Sequence, residues 1–243
     1  MQLIVLGRYS PFPPPGGACP GYLLQHGDAS LLVDCGSGVV ARLQNHVSFD
    51  RLDYVILSHL HGDHSSDMNV LRYAADTDLR GRQAPAAMKV YAPPMPSEEF
   101  TRLSYKEAVK AHPITEDDIL QLGPFEVCFA RTDHPLLCYA VRVTAGGRTL
   151  AYTADTAYSP GVVEIAEGAD LLLAEASLEE SQRGFRGHMT ASQASVMAKK
   201  AGVGRLLLTH FWPYHDVQKM VDSARAASDI PVEAAEEENA YLV

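Results

Sequence analysis

The chain has 243 residues, of which 47% are hydrophobic, and this is enough apolar material for one domain spanning residues 1–243. Its 30 acidic and 20 basic residues give a formal net charge of −10, which excludes a sequence-wide attraction to nucleic acid or to an anionic membrane. Four cysteines without CxxC spacing favour reduced thiols over a disulfide framework. The first residues lack a basic n-region, and no stretch has the roughly 20 apolar residues of a membrane span. We therefore expect a soluble, cytoplasmic protein.

Short strands dominate the first part of the chain. Apolar runs rich in β-branched residues end in turn signals and predict strands at residues 3–6, 22–25, 31–34, 54–57 and 88–91. Gly27 and Asp28 predict a hairpin turn between the second and third strands, because both tolerate a positive φ. The prolines and glycines of residues 11–17 exclude a helix and a central strand. The loop at residues 9–21 is therefore either a surface connection or the rim of an active site.

Helices and strands alternate in the rest of the chain. The patterns predict helices at residues 38–47, 65–73 and 97–111, then a strand-rich block at 125–153 with a hairpin turn at 145–148. Further on they predict strands at 171–174, 205–209 and 241–243, and helices at 190–201 and 217–227. Thr190 and Gln193 form a capping box at the start of one helix, and Gly202 closes it. This order favours a two-sheet core with helices outside.

Residues 58–64, with the sequence SHLHGDH, place three imidazoles and one carboxylate directly after the strand at 54–57. Imidazole nitrogen and carboxylate oxygen are ligand types that zinc accepts. Side chains at positions i and i+2 of an extended segment point the same way, so we expect His59 and His61 to share one metal ion. Asp63 and His64 fall on the turn beyond, where Gly62 lets the backbone bend, and they suit a second ion.

Four ligands are too few for two metal ions, and three further strand ends supply candidates. His134, Asp155 and His210 each follow a predicted strand. Taken alone, a histidine or an aspartate at a strand end is usually a turn residue. As a set with residues 58–64 the three are better explained as ligands, because together they complete a site on one rim of a sheet sandwich.

The spacing H-x-H-x-D-H, followed by a later histidine, an aspartate and a final histidine, resembles the signature of the metallo-β-lactamase superfamily over nearly the whole chain. The resemblance implies an α/β (α+β) fold, a four-layer αββα sandwich of two mixed β-sheets flanked by helices. It also implies two Zn2+ ions, with Mn2+ or Fe2+ as alternatives. The first ion would be held by His59, His61 and His134, the second by Asp63, His64 and His210, and Asp155 would bridge the two.

Within this superfamily the chain is similar to ribonuclease Z and its small phosphodiesterase relatives. Residues 152–156 (YTADT) resemble their bridging-aspartate motif, and residues 188–190 (HMT) resemble their His-Ser-Thr. Residues 173–177 (LAEAS) resemble their His-Glu-Ala-Thr segment, with Ala174 in place of the histidine. The interval from His134 to Asp155 is 155 − 134 = 21 positions, which leaves room for a hairpin and not for a tRNA-binding arm. We therefore expect no tRNA binding, and by family likeness alone a homodimer.

The resemblance implies a dinuclear zinc hydrolase acting on small or cyclic phosphodiesters or on RNA ends. Water shared by two zinc ions would have its pKa lowered from 15.7 to around 7 and would attack phosphorus as hydroxide, with Asp63 accepting a hydrogen bond from it. His188 would stabilise the transition state or protonate the leaving oxygen, and Glu175 would hold its imidazole in one tautomer. Two alternatives stay open: a thioester or lactone hydrolase of glyoxalase II type, and a non-catalytic metal-binding accessory protein.

Overall fold

Two seven-stranded sheets pack face to face, and helices cover their outer faces. The structure, a computed structural model, describes residues 1–82 and 87–243, with side chains throughout except at residues 78–82. Its strands are β1 (Gln2–Gly7), β2 (Gly21–His26), β3 (Ala29–Val33), β4 (Tyr54–Ile56), β5 (Met88–Ala92), β6 (Val109–Pro113), β7 (Ile119–Leu122), β8 (Phe125–Arg131), β9 (Tyr139–Ala145), β10 (Arg148–Tyr152), β11 (Leu171–Glu175), β12 (Leu206–Thr209), β13 (Val232–Ala234) and β14 (Ala240–Leu242). Its helices are α1 (Val39–Leu43), α2 (Gly62–Ser65), α3 (Met68–Arg82), α4 (Ser97–Leu103), α5 (Pro160–Ile165), α6 (Ala191–Ala201) and α7 (Val217–Ala227), with 3-10 helices at Phe49–Arg51 and Glu180–Gln182.

Each sheet combines antiparallel and parallel strands. The first has the order β14-β1-β2-β3-β4-β5-β6, in which β3 to β6 are parallel. The second has the order β13-β12-β11-β10-β9-β8-β7, in which β10 to β13 are parallel. Parallel strands end at the same edge of a sheet, and loops at the carboxyl ends of such strands are where α/β folds bind ligands. The two parallel halves bring these ends together, since His64 after β4 contacts His210 after β12.

The apolar core forms three layers because alternate residues of a strand face opposite sides of its sheet. Leu171 and Leu173 of β11 pack between the two sheets, whereas Leu172 and Ala174 pack outward against α5, α6 and α7. The first sheet has the same arrangement, and its outer face packs against α1, α3 and α4. A strand buried on both faces needs a continuous apolar run, which explains the sequence of β11 and β12. The four-layer αββα sandwich of mixed sheets is confirmed.

Several local predictions are also confirmed. Gly27 has a φ of 60° in a two-residue turn, so that His26 pairs with Ala29 across the β2–β3 hairpin. Thr190 accepts a hydrogen bond from the amide of Gln193 in a complete capping box. Gly202 then ends α6 with a φ of 63°. These features are local because each depends on residues within a few positions of one another.

The helix predicted at residues 97–111 is confirmed at its start, Ser97, and is wrong beyond Leu103. Helix α4 ends at Leu103, and the chain turns into β6, whose Val109 pairs with Met88 of β5. Val109 is fully buried, and that burial outweighs surface pairs of Lys and Glu at helical spacing, which contribute only about 0.2–0.5 kcal/mol each. The helix predicted at 65–73 begins instead at Met68 and continues to Arg82. Strands β7 and β13 and helix α5 were not predicted as elements.

No helix among the described residues combines the length and the apolar character needed to cross a membrane. Strands β1 and β14 pair near the two ends of the chain, with Leu3 opposite Tyr241. A single domain spanning residues 1–243 stays a prediction.

Candidate metal centre

The cluster at residues 58–64 lies where β4 ends at the shared edge of the two sheets. His59 is fully buried, and His61 precedes α2 in an extended conformation, with a φ of −64° and a ψ of 150°. Asp63 and His64 lie in α2 itself. His59 and His61 therefore lie in the extended stretch, and the helical turn directs Asp63 and His64 differently, as the spacing predicted.

The first group of donors contains His59, His61, His134 and Asp155, whose ligand atoms all lie within 4.8 Å of one another. The Nδ1 atom of His61 is 3.0 Å from Nε2 of His59 and 3.2 Å from Nε2 of His134. His134 comes from the loop that follows β8 and Asp155 from the loop that follows β10. Three strand ends from both sheets thus converge on one point.

The second group contains Asp63, His64 and His210, again with ligand atoms within 4.8 Å of one another. The Nε2 atoms of His64 and His210 are 3.0 Å apart. The Oδ2 atom of Asp63 lies 3.7 Å from the former and 3.6 Å from the latter. His210 follows β12 and has a φ of 63°, an unusual value for a residue other than glycine that turns its ring into the site.

Asp155 lies between the two groups. Its Oδ2 atom is 3.6 Å from Nε2 of His59 in the first group. Its Oδ1 atom is 3.3 Å from Nε2 of His64 and 3.1 Å from Nε2 of His210 in the second. The carboxylate is buried, and Oδ1 accepts no hydrogen bond. An unsatisfied buried oxygen that faces two imidazole nitrogens is the arrangement expected of a group that bridges cations.

Buried hydrogen bonds fix the tautomers of His59 and His64. Asp34 accepts hydrogen bonds from Nδ1 of His64 at 2.8 Å and from Oγ of Ser58 at 2.9 Å. Because the Ser58 hydroxyl donates to Asp34, it can accept from Nδ1 of His59, 3.1 Å away. Tyr152 adds a further hydrogen bond to the same carboxylate, at 3.0 Å. In their neutral forms both rings then present an Nε2 lone pair, which is how a metal-binding histidine is oriented.

A second carboxylate orients His210 in the same way. Oγ of Ser177 donates to Oε2 of Glu175 at 2.8 Å and lies 2.7 Å from Nδ1 of His210. His134 is held by its Nδ1 atom, which is 3.2 Å from the carbonyl oxygen of Gly187. The Nε2 atoms of both rings therefore remain free for a cation. Lone pairs facing one another across about 3 Å repel unless a positive charge lies between them, so the donor set fits a metal cofactor.

Sequence reasoning missed Asp34, Ser58 and Ser177. All three are buried, and Asp34 adopts a φ of 59° directly after β3. A usable signal was present, because each lies at the carboxyl end of a strand in a parallel half-sheet, as the predicted ligands do. What the sequence could not show is which of these strand-end side chains contact the histidines.

Burial and charge set the protonation of the donors. Burial lowers the pKa of His59, His61 and His134 below the ordinary imidazole value, which favours the neutral rings that metals require. Burial also lowers the pKa of His64, but the charges of Asp155, Asp63 and Asp34 outweigh it and raise that pKa well above its usual value. The surplus of buried negative charge around this ring is a further reason why cations fit.

His188 and Glu175 meet beside the two groups of donors. The Nδ1 atom of His188 is 2.9 Å from Oε1 of Glu175, which is fully buried. Burial lowers the pKa of His188, but the charge and hydrogen bond of Glu175, together with the charge of Asp155, outweigh it and raise the pKa to about 9. The other face of His188 turns to the donors, since its ligand atom lies within 4.8 Å of those of Asp155 and His210. The predicted pair is thus brought together at the edge of the centre.

The comparison with known proteins agrees with this geometry. The β-lactamase superfamily domain matches residues 30–211 of the chain. Over 211 residues the chain is 40% identical to the Bacillus subtilis (strain 168) protein named Probable metallo-hydrolase YhfI, covering 86% of each. The chain belongs to the metallo-β-lactamase superfamily. The crystal structure of YhfI from Bacillus subtilis matches it with a TM-score of 0.96 at 37% identity, covering 99% of this chain and 98% of that one.

One curated relative and one solved structure show how far the likeness extends. Ribonuclease Z from Mycobacterium marinum is 28% identical over 250 residues, which cover 88% of this chain and 87% of the relative. The crystal structure of a diphosphatase from the PhnP family has a TM-score of 0.80 at 16% identity and covers 100% of this chain and 97% of its own. At that identity the second likeness shows the fold alone.

The loop at residues 9–21 forms a wall of the site in this member of the metallo-β-lactamase superfamily. Ser10 donates a hydrogen bond from Oγ to Oδ2 of Asp63 at 2.8 Å. Farther along, Glu237 accepts the amide of Ala18 at 2.8 Å, and Arg42 donates to the carbonyl of Gly16. The loop is therefore more than a surface connection, because it borders the candidate metal centre, and the hydrogen bonds hold it at both ends.

Two openings reach the donors, and His188 lines both. The larger, about 670 Å3, is lined by residues of this loop and of the candidate metal centre, among them Phe12, Trp212, His61 and His188. The smaller, about 410 Å3, is lined by His134, Arg186, Gly187 and His188 among others. A substrate with two substituents on one reacting atom can therefore place one in each opening.

Proposed function

We propose that this protein is a dinuclear zinc hydrolase that cleaves small or cyclic phosphodiesters or RNA ends. The observation that carries the proposal is the position of Asp155, which directs one oxygen to each of two groups of nitrogen and oxygen donors. Imidazole and carboxylate ligands suit zinc, with manganese or iron as alternatives. Sites that hold two ions about 3.5–4 Å apart are typical of phosphate-cleaving enzymes.

In this proposal His59, His61 and His134 hold one ion, Asp63, His64 and His210 hold the other, and Asp155 bridges them. When bound, the ions supply positive charge for the non-bridging oxygens and lower the pKa of water at the site. Asp63, held by Ser10, accepts a hydrogen bond from the attacking water and orients it. His188 carries a proton toward the leaving oxygen, and Glu175 keeps that imidazole protonated and correctly turned.

Two observations favour phosphodiesters over other substrates. Two openings lined by His188 reach the centre, and a phosphodiester has two substituents on one phosphorus atom. Ribonuclease and diphosphatase are the activities named for two of the relatives, and the substrates of both are phosphate compounds. tRNA binding is not part of the proposal, because only the β9–β10 hairpin separates His134 from Asp155.

A metal assay combined with a substrate panel tests this proposal. The zinc-loaded protein is given a bis-aryl phosphodiester, a 2′,3′-cyclic nucleotide, an acyl thioester and a lactone, and bound metal is measured on the same sample. We expect about two metal equivalents and turnover of the phosphodiesters only. Turnover of the thioester or lactone alone would replace the proposal by a hydrolase of glyoxalase II type. Two bound metals without any turnover would make the protein a metal-binding accessory protein.

Changing Asp34 to Asn should weaken metal binding by about 10- to 100-fold, the usual cost of losing a group that orients a metal-binding histidine. Asn has nearly the same volume and tolerates the φ of 59° at this position, but its amide is neutral and accepts fewer hydrogen bonds. His64 and Ser58 therefore lose a fixed acceptor. Competition with a chelator measures the metal affinity.

The matched control for this prediction is Asp67→Asn. Asp67 accepts the backbone amide of Val40 at 2.9 Å rather than an imidazole proton, so this change should leave the metal affinity within about twofold, since no metal-orienting hydrogen bond is removed. Equal metal affinities for the two variants would contradict the role given to Asp34.

A cytoplasmic location and a homodimer complete the proposal. Neither depends on the geometry of the metal centre. Light scattering on the purified protein measures the oligomeric state, and fractionation of the cells that make it locates the protein.

A further inference from the structure

The larger opening combines an apolar wall with the metal-binding edge. Pro11, Phe12, Pro13 and Trp212 form its apolar wall, and His61, Asp63, Asp155 and His188 line the same opening. Its volume of about 670 Å3 is of the size that holds a small-molecule ligand. Polar side chains hold the reacting group in such pockets, and apolar side chains hold the rest of the molecule. The wall is therefore expected to contact the part of the substrate that does not react.

The two rings of the wall are held in place by other aromatic residues. Phe12 packs edge-to-face against Tyr214, with ring centres 5.8 Å apart and an angle of 65°. Trp212 stacks on His215 with ring centres 5.2 Å apart and an angle of 22°. Phe12 nevertheless remains 45% exposed. A ring that is fixed on one side and open on the other loses little conformational entropy when a planar ligand stacks on it.

The backbone fixes this wall close to the metal-binding residues. The amide of Ser10 donates to the carbonyl of Phe211 at 3.0 Å, and Oγ of Ser10 donates to Asp63. Phe12 is two residues from Ser10, and Trp212 is two residues from His210. Two residues of extended chain span at most about 7 Å. The backbone of Phe12 therefore lies close to Ser10, which contacts Asp63, and the backbone of Trp212 lies close to His210.

We propose that Phe12 and Trp212 form a binding site for a planar ring of the substrate, a nucleobase, while its phosphate lies at the metal centre. This inference rests on the proposed phosphodiesterase function and names its substrate class as a nucleotide. The stacking face accepts any base, because every base has a π-face. The smaller opening, which His188 also lines together with Arg186, receives the second substituent of the phosphorus atom.

The tryptophan content of the chain gives a direct binding assay. Trp212 is the one tryptophan in the sequence, so the intrinsic tryptophan fluorescence reports on this wall alone. The zinc-loaded protein is titrated with AMP and, separately, with ribose 5-phosphate, which carries the same phosphate and sugar without the base. We expect AMP to quench the fluorescence to saturation and ribose 5-phosphate to leave it nearly unchanged.

Two variants show whether the Phe12 ring contributes to AMP binding. Phe12→Ala should weaken AMP binding, measured by the quenching of Trp212, by about tenfold, within the range of base stacking on an aromatic side chain. The matched control is Tyr73→Ala, because Tyr73 is 53% exposed and also packs edge-to-face on another ring, that of Tyr105, outside this opening. It should leave AMP binding unchanged.

The outcomes separate this inference from the function on which it rests. The ring site is overturned if ribose 5-phosphate quenches Trp212 as strongly as AMP does, or if Phe12→Ala binds AMP as tightly as the unchanged protein. This holds even where phosphodiesters are hydrolysed. If AMP quenches Trp212 in the expected way but no phosphodiester is cleaved, the ring site is supported and the phosphodiesterase proposal fails by itself.

Discussion

Replacing Asp155 with alanine should remove bound metal and hydrolytic activity together. Asp155 is the one side chain whose two oxygens face both groups of donors, at 3.1–3.6 Å from three imidazole nitrogens. Without Asp155 each group keeps three donors. Asp63 would then be the one carboxylate left among the donors to balance two divalent cations. The bound metal, measured on the purified variant, is expected to fall from about two equivalents to none, and turnover is expected to fall to background.

Two controls accompany this variant. Asp28→Ala removes a carboxylate whose only described contact is an exposed ion pair 3.4 Å from Arg51, so metal content and turnover should not change. Asp155→Asn keeps the side-chain volume and should also lose metal, which separates loss of charge from creation of a cavity. Two equivalents of metal retained by Asp155→Ala would contradict the bridging role.

Replacing His188 with alanine should lower turnover of a phosphodiester by about 10²- to 10⁴-fold, the range typical of a proton-transfer group. The metal content should not change, because the seven donors of the two groups remain in place without His188. His188 has only its Nε2 atom free for substrate, since Nδ1 is bonded to Glu175. Its KM should change less than its kcat, because the ring acts on the leaving oxygen in the transition state.

Glu175→Gln gives a pH readout for the same pair. The Glu175 charge raises the pKa of His188 to about 9, so the imidazole is protonated below that pH and loses its proton as the pH rises through it. The neutral amide should lower this pKa, and the descending limb of the rate against pH should move to lower pH. The control is His112→Ala, which removes an exposed imidazole stacked on Tyr91 and should leave the pH profile unchanged.

Loss of metal from the His188→Ala variant would make His188 a ligand and overturn its role as a proton donor.

The donors of the metal centre could be predicted because a metal site needs a few specific residue types, and these stand out against their surroundings. His59, His61, Asp63 and His64 lie within six positions, and an extended segment followed by a turn directs them from local geometry alone. His134, Asp155 and His210 were predicted from their positions at strand ends. Their convergence needed only the rule that parallel strands end at one edge of a sheet.

The groups that orient the donors could not be predicted in the same way. Asp34 is 118 positions from Tyr152 and contacts it only because the two sheets face each other. It is 30 positions from His64 and contacts it because β3 and β4 are adjacent parallel strands. A buried serine such as Ser58 or Ser177 has the same sequence signal whether it orients a histidine or fills a turn. The helix predicted at residues 97–111 failed for the related reason that pairing with β5, a distant segment, decided the structure of Val109.

The amino-acid sequence by itself indicated a two-sheet core with helices outside and the residue types of the candidate metal centre, because hydrophobic periodicity and ligand chemistry are local properties. The resemblance to the metallo-β-lactamase superfamily implied the four-layer sandwich. Tertiary structure alone decided which atoms meet: the two oxygens of Asp155 between two donor groups, the Asp34 and Glu175 networks behind the imidazoles, and Phe12 facing the same opening as Trp212. Such contacts join distant positions, as the 30 between Asp34 and His64 and the 96 between Asp155 and His59 show. Strand pairing within each sheet and the packing of one sheet on the other together fix those distances.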